Sequence, residues 1–145
     1  MTKDVQTRSA DDVLGIVVEN EGALNGVNVA TAMMQVSKRM RDQEKRRIFE
    51  DRRFKLLLHL VHQKMGEFTA WNLSSILWAW AKMNYEDMPP DLLEQLMGAT
   101  RQRMFDFKPQ ELKNVIWAYA TMMNHPGEQF LKVSEPPLKV SSVCA

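Results

Sequence analysis

The chain repeats itself. Sliding the 145-residue sequence by 39 positions lays residues 68–83 over 107–122, with six of the 16 positions identical. Elsewhere in that window Ile exchanges with Val, Leu with Ile and Trp with Tyr. The same shift places Phe54, Leu57, Leu58 and Met65 over Leu93, Leu96, Met97 and Met104. A shift of 44 sets residues 28–38 over 72–82, and the five extra residues fall in a charged stretch between the helices of that copy. Recurrence at this period marks an array of small units, each too small to bury its own apolar face and therefore stacked on its neighbours.

Within each unit the pattern is helical. Phe54, Leu57, Leu58, Val61 and Met65 follow the i, i+3, i+4, i+7, i+11 series of one helix face, and Leu73, Ile76, Leu77, Trp80 and Ala81 further on follow i, i+3, i+4, i+7, i+8. No segment alternates with period two. Asn28 reads as an N-cap, and Pro89-Pro90, Pro109 and Pro126-Gly127 punctuate the rest. The sequence predicts an all-α fold: an α-solenoid of about two and a half stacked helix-turn-helix repeats. First helices fall at 28–40, 72–83 and 110–122, second helices at 52–66 and 91–105, with a remnant near 128–133. Leu56 and Leu60 project opposite Phe54, Leu58 and Val61, as suits a helix with neighbours on two sides.

The units divide the chain into an acidic flexible leader (1–27), repeats at 28–66, 67–105 and 106–133, and a disordered tail (134–145). Within the leader, 12–18 is long enough for a helical turn or two. Pro136-Pro137 interrupts the place where the third second helix belongs, so the chain reads as a piece of a longer array or a truncated relative of one. A lone cysteine, Cys144, excludes an internal disulfide and a cysteine zinc site. No run nears the ~18 apolar residues a membrane span needs. Residues 1–12 carry three Asp beside Lys3 and Arg8, unlike acid-poor transit peptides, and 13–18 is too short for a secretory core. Cytoplasm and nucleus therefore stay open.

Asn72-Leu-Ser-Ser-Ile-Leu-Trp-Ala-Trp-Ala-Lys-Met83 and Phe107-Lys-Pro-Gln-Glu-Leu-Lys-Asn-Val-Ile-Trp-Ala-Tyr-Ala120 resemble the octotricopeptide repeat, whose phrase reads F-x-P-Q-x-L-x-N-x-x-W-A-x-A. Pro89-Pro90-Asp91-Leu92-Leu93 is similar to that family's start of a second helix. The mitochondrial FAST-kinase-like proteins carry a comparable phrase. The resemblance spans 28–133 and is specific in the second and third copies; the first has Met34-Gln35 in place of Trp-Ala. It implies sequence-dependent binding of single-stranded RNA in a mitochondrion or chloroplast, for transcript processing, stability or translation. Nothing matches the RAP domain that such proteins often carry.

On a helical wheel Ser74, Ser75 and Lys82 lie opposite the apolar arc. Ala30, Thr31 and Lys38 match them in the first repeat, and Lys113, Asn114 and Thr121 in the third. Thr31, Ser75 and Asn114 thus share one position expected to be exposed. Short hydrogen-bonding groups there read bases one per repeat in modular RNA readers, or simply solvate the helix. Trp78 and Trp117 fall on the polar arc, where they either stack on bases or fill the seam between repeats beside Ala79, Ala81, Ala118 and Ala120. Packing is the commoner use of a repeated tryptophan. Trp80 and Tyr119 read as core, and Trp71, which is not repeated, as partly exposed.

Net charge is only +1, yet residues 28–66 hold ten Lys/Arg against four Asp/Glu. Lys38, Arg39, Arg41, Arg46 and Arg47 lead that excess, with Arg52, Arg53 and Lys55 behind. Such clusters pair with phosphates and release counterions. Alternatively they form a solvated stretch laced by Asp42, Glu44, Glu50 and Asp51. His59 and His62 stand i, i+3 without a third ligand, so no metal and no cofactor are expected. Neither a nucleophile–base set nor a phosphate loop is present, which argues against an enzyme. The main alternative to RNA is a protein-interaction scaffold, binding other proteins or ribonucleoprotein components, or a repeat fragment without independent activity.

Overall fold

The computed structural model describes residues 9–84 and 88–124, and every regular element among them is helical. The elements are α1 (Ala10–Glu19), α2 (Gly26–Arg39), α3 (Lys45–Glu50), α4 (Arg52–Gln63), α5 (Ala70–Met83), α6 (Pro90–Gln102) and α7 (Pro109–Asn124). Short 3-10 turns lie at Glu21–Ala23, Asp42–Glu44, Met65–Glu67 and Met104–Asp106. The expected remnant at 128–133 and the tail at 134–145 lie outside the described residues.

One local unit occurs three times: helix, 3-10 turn, buried apolar residue, helix. Asn20, Lys64 and Arg103 close α1, α4 and α6 with ψ of 18°, 10° and 16°. After each 3-10 turn, Leu24, Phe68 and Phe107 extend with ψ of 131°, 130° and 131° and point into the core. The following helix is then capped. Asn25 Oδ1 accepts from the Asn28 amide at 2.9 Å and Thr69 Oγ1 from the Asn72 amide at 3.2 Å. In the third unit the Lys108 amide donates to Glu111 Oε1 at 2.8 Å. Each device satisfies a backbone group that a helix start leaves without an intrahelical partner.

The buried side chains keep the same phase. Ala10, Phe54 and Leu93 are equivalent, as are Val13, Leu57 and Leu96, and all six are buried. Leu14, Leu58 and Met97 form a third matched set, also buried. Fully burying side chains of this size stabilises by ~1.5–3 kcal/mol each before chain entropy is subtracted. α5 is the central helix, packed chiefly against α2 on one side and α7 on the other. α1 packs on α2 and α4.

Three expectations are corrected here. Residues 1–27 are not a leader throughout, because Ala10–Glu19 is a helix whose Ala10, Val13, Leu14 and Val17 are buried. Ser9 caps it, accepting from the Asp12 amide at 3.2 Å while Asp12 Oδ2 accepts from the Ser9 amide at 3.3 Å. The N-cap of α2 is Asn25 rather than Asn28, which instead sits in the first turn and accepts from the Asn25 amide at 3.1 Å. The second helices also end earlier than periodicity suggests, at Gln63 and Gln102, because a 3-10 turn follows each. Leu60 is buried and Leu56 partly so, as a helix contacted on two sides requires.

Candidate nucleic-acid interface

Residues spaced i, i+4, i+7, i+11 share one helix face. On α5 that series is Trp71, Ser75, Trp78 and Lys82; its equivalents are Val27, Thr31, Met34 and Lys38 on α2, and Gln110, Asn114, Trp117 and Thr121 on α7. The three faces meet where the side chains touch. The Trp78 and Trp117 rings lie 6.3 Å apart between centroids, tilted by 35°. Lys82 Nζ stands 4.8 Å from the Trp78 centroid, and Lys38 Nζ, arriving from α2, stands 5.9 Å from it.

This cluster places two ammonium groups on one indole. Each distance is within cation–π range, where an exposed pair gains about 0.5–1 kcal/mol. Both lysines are exposed, Trp78 is partly buried and Trp117 is 44% exposed. Trp78 therefore fills part of the α5–α7 seam and also holds cations at its rim. Ala79 and Ala118 are fully buried in that seam, whereas Ala120 is exposed. Trp80 is core, Tyr119 is partly buried and Trp71 is 52% exposed. Burial raises the Tyr119 phenol, an effect that Arg101 partly opposes.

The proposed column of short polar residues is interrupted. Thr31 and Asn114 are partly accessible, and Asn114 Oδ1 accepts from Gln110 Nε2 at 3.4 Å. Ser75 is only 3% exposed, which corrects the expectation that it lies open. Ser74 is buried too, its hydroxyl donating to the Trp71 carbonyl at 3.0 Å. A helical wheel describes one helix alone, but α5 has helices on both flanks, so its open arc shrinks.

The basic run divides into committed and available cations. Arg47 donates to the Asp11 carboxylate at 3.1 and 2.9 Å and to Glu44 at 3.2 Å. Arg53 donates to Asp11 at 2.7 Å and to Asp51 at 2.8 Å, tying α1 to the start of α4. The Arg47 hydrogen bond, then that of Arg53, holds the Asp11 carboxyl below the usual range despite partial burial. Arg53 does the same to Asp51, while Glu44 is lowered first by the Arg41 amide. Both guanidiniums are in turn raised by their carboxylate partners. Arg41 reaches the largely covered Glu44 carboxylate at 3.5 Å, and Arg46 reaches Glu50 loosely and in solvent at 3.8 Å. Arg39 is partly buried, and its Nε is buried without a hydrogen-bond partner. Lys45 pairs with Asp42 at 3.5 Å. Among the nine residues named from sequence, Lys38 and Lys82 are thus brought together, whereas Arg47 is fixed elsewhere.

His62 Nδ1 shares a 2.7 Å hydrogen bond with Gln95 Oε1, joining α4 to α6. Among the described residues no group of three or more His, Cys, Asp or Glu could hold a metal ion. No described helix is long and apolar enough to cross a membrane. The residue that sequence reasoning undervalued is Trp78; its signal was a large aromatic on an otherwise polar arc. No protein-family model, curated protein or solved structure matches the chain.

Proposed function

We propose that this chain binds single-stranded RNA. In this reading its helix pairs form a short α-solenoid of octotricopeptide type, and the RNA runs across the joined faces of α2, α5 and α7. The observation that carries it is the meeting of Lys38 and Lys82 on Trp78 beside the exposed Trp117. Cations beside aromatic faces are how single strands are held without strict sequence demand: lysine takes phosphate and the ring takes a base. Asn114, one turn before Trp117, and Thr31, two turns before Lys38, lie on the same faces and supply the sequence preference. Arg39, Arg41 and Arg46 add general attraction. The role is the handling of organellar transcripts, with few bases read per chain.

The test is binding of the purified chain to a random single-stranded RNA pool at low and physiological salt. Wild type should bind with steep salt dependence, and a K38A/K82A variant should bind at least tenfold more weakly. Each lost phosphate contact should lower the slope of log affinity against log salt by ~0.7. Salt-independent or absent binding by a folded wild type would overturn the proposal in favour of a protein-binding groove.

A further inference from the structure

We infer that Lys38, Lys82, Trp78 and Trp117 form one nucleotide subsite with a division of labour. The two lysines grip a phosphodiester, Trp117 stacks the adjoining base, and Trp78 is a positioning residue that keeps the two ammonium groups together. The inference rests on the RNA-binding reading and assigns roles within that face.

Two like charges separate unless something holds them. Here the holder is a single indole, with Lys82 4.8 Å and Lys38 5.9 Å from its centroid. Lys82 sits one helical turn beyond Trp78 on α5, while Lys38 belongs to α2, so the pair bridges two helices. Both side chains are exposed, and no carboxylate of the described residues forms an ion pair with either. The site thus offers two ammonium groups held on one indole and not ion-paired to any carboxylate of the described residues, and a phosphodiester, whose one negative charge is shared between two oxygens, gives each ammonium an acceptor.

Trp78 cannot also serve as the base platform. Its ring already carries both ammonium groups and is partly buried. Trp117 is different: it is 44% exposed, and no cation of the described residues stands over it. The rings are 6.3 Å apart and tilted 35° rather than parallel, so no base fits between them. The base must take the outer face of Trp117. A single strand suits this arrangement because its bases are free to splay from the backbone.

The experiment titrates the full chain with a uridine 12-mer and with an abasic ribose-phosphate 12-mer of equal length, following tryptophan emission and anisotropy. Wild type should bind both, and only the uridine strand should quench emission. Trp117→Ala should weaken the uridine strand by roughly five- to a hundredfold and abolish the quench, leaving the abasic strand unchanged. K38Q/K82Q should weaken both strands equally. Trp78→Leu should act like the lysine pair, and Trp78→Phe should restore binding, since a ring is all the role requires. Circular dichroism checks that each variant keeps the wild-type helix content.

Equal wild-type affinity for both strands, or a Trp117→Ala variant that loses both, would overturn the assigned roles. RNA binding that survives K38Q/K82Q intact would also overturn the subsite while leaving the RNA reading standing. Failure of wild type to bind either strand would remove the reading and the subsite together.

Discussion

Leu77 and Ile116 occupy the same position of successive repeats, yet Leu77 is fully buried and Ile116 is 66% exposed. Their neighbours differ in the same sense: Leu73 and Trp80 are buried in α5, whereas Leu112 and Tyr119 are only partly so in α7. The cause is the number of packed neighbours. α5 is packed by α2 and α7 and also by α6, and α7 is the last described helix. Equal sequence roles therefore carry unequal energies. Leu77→Ala should cost about 2–5 kcal/mol and Ile116→Ala within ~0.5 kcal/mol, read as urea midpoints of the two variants. Equal losses would mean that Ile116 is covered in solution.

The contact between α2 and the turn after α4 leaves no room for a methyl group. A Cβ on Gly26 would lie 2.9 Å from Glu67 Cβ and 3.4 Å from Phe68 Cδ1. The Gly26 amide also donates to Glu67 Oε1 at 2.9 Å, so the approach is held as well as close. Gly26→Ala should destabilise by about 1–3 kcal/mol, the usual cost of overpacking, because the obstacle is a Cβ rather than a movable chain end. Gly15, inside α1, has nothing within 4 Å. There the helix preference for alanine acts alone, and Gly15→Ala should stabilise by roughly 0.5–1 kcal/mol. Opposite shifts in denaturation midpoint are the expected pair of results.

How much of this was legible in sequence depends on whether a residue's neighbours recur. Phe54, Leu57, Leu58 and Phe68 have counterparts at Leu93, Leu96, Met97 and Phe107, so the repeat and the all-helical class followed directly. α1 carries the same series, with Ala10, Val13, Leu14 and Val17 standing 44 residues before Phe54, Leu57, Leu58 and Val61. Gly15, Gly22 and Gly26, with the acidic Asp11, Asp12, Glu19 and Glu21 among them, obscured it. Ser75 failed for another reason, since no wheel contains the helices on either side. The Arg47–Asp11 and Arg53–Asp11 contacts span 36 and 42 residues and leave no periodic trace. Trp78 and Trp117 stood visibly on the polar arc, but only adjacency in space reveals Lys38 beside them.

Ser75 and Asn114 share a repeat position and differ in access, which makes base reading separable from helix packing. Ser75→Ala should leave RNA affinity unchanged within a factor of two, because a side chain 3% exposed offers no edge to a base. Thr31→Ala and Asn114→Ala should each weaken a preferred sequence by about 1 kcal/mol, the typical net worth of one hydrogen bond, with little effect on a random pool. Binding-site selection on the three variants is the check. A Ser75→Ala variant that shifted sequence preference would mean that α5 opens on binding.

Asp11 joins α1 to the rest of the fold by charge, and that link should fail in acid. Its carboxyl is held below the ordinary value near ~3.9 by hydrogen bonds from Arg47 and then Arg53, burial acting against them. A carboxyl with a depressed folded-state value binds protons more readily when unfolded. Its stabilising contribution is therefore complete above the ordinary value and is lost as pH falls through the folded one. Asp11→Asn should lower the unfolding midpoint at pH 6–7, and its deficit against wild type should shrink below about pH 4. Asp51 and Glu44 are shifted in the same direction, so the variant should still weaken in acid, but less steeply than wild type. The partners are partly solvated, with side-chain exposures of 39%, 54% and 33% for Asp11, Arg47 and Arg53, so added salt should narrow the difference at neutral pH. A deficit that persists unchanged from pH 7 to pH 3 would show that Asp11 acts through shape and the start of α1 rather than through its charge.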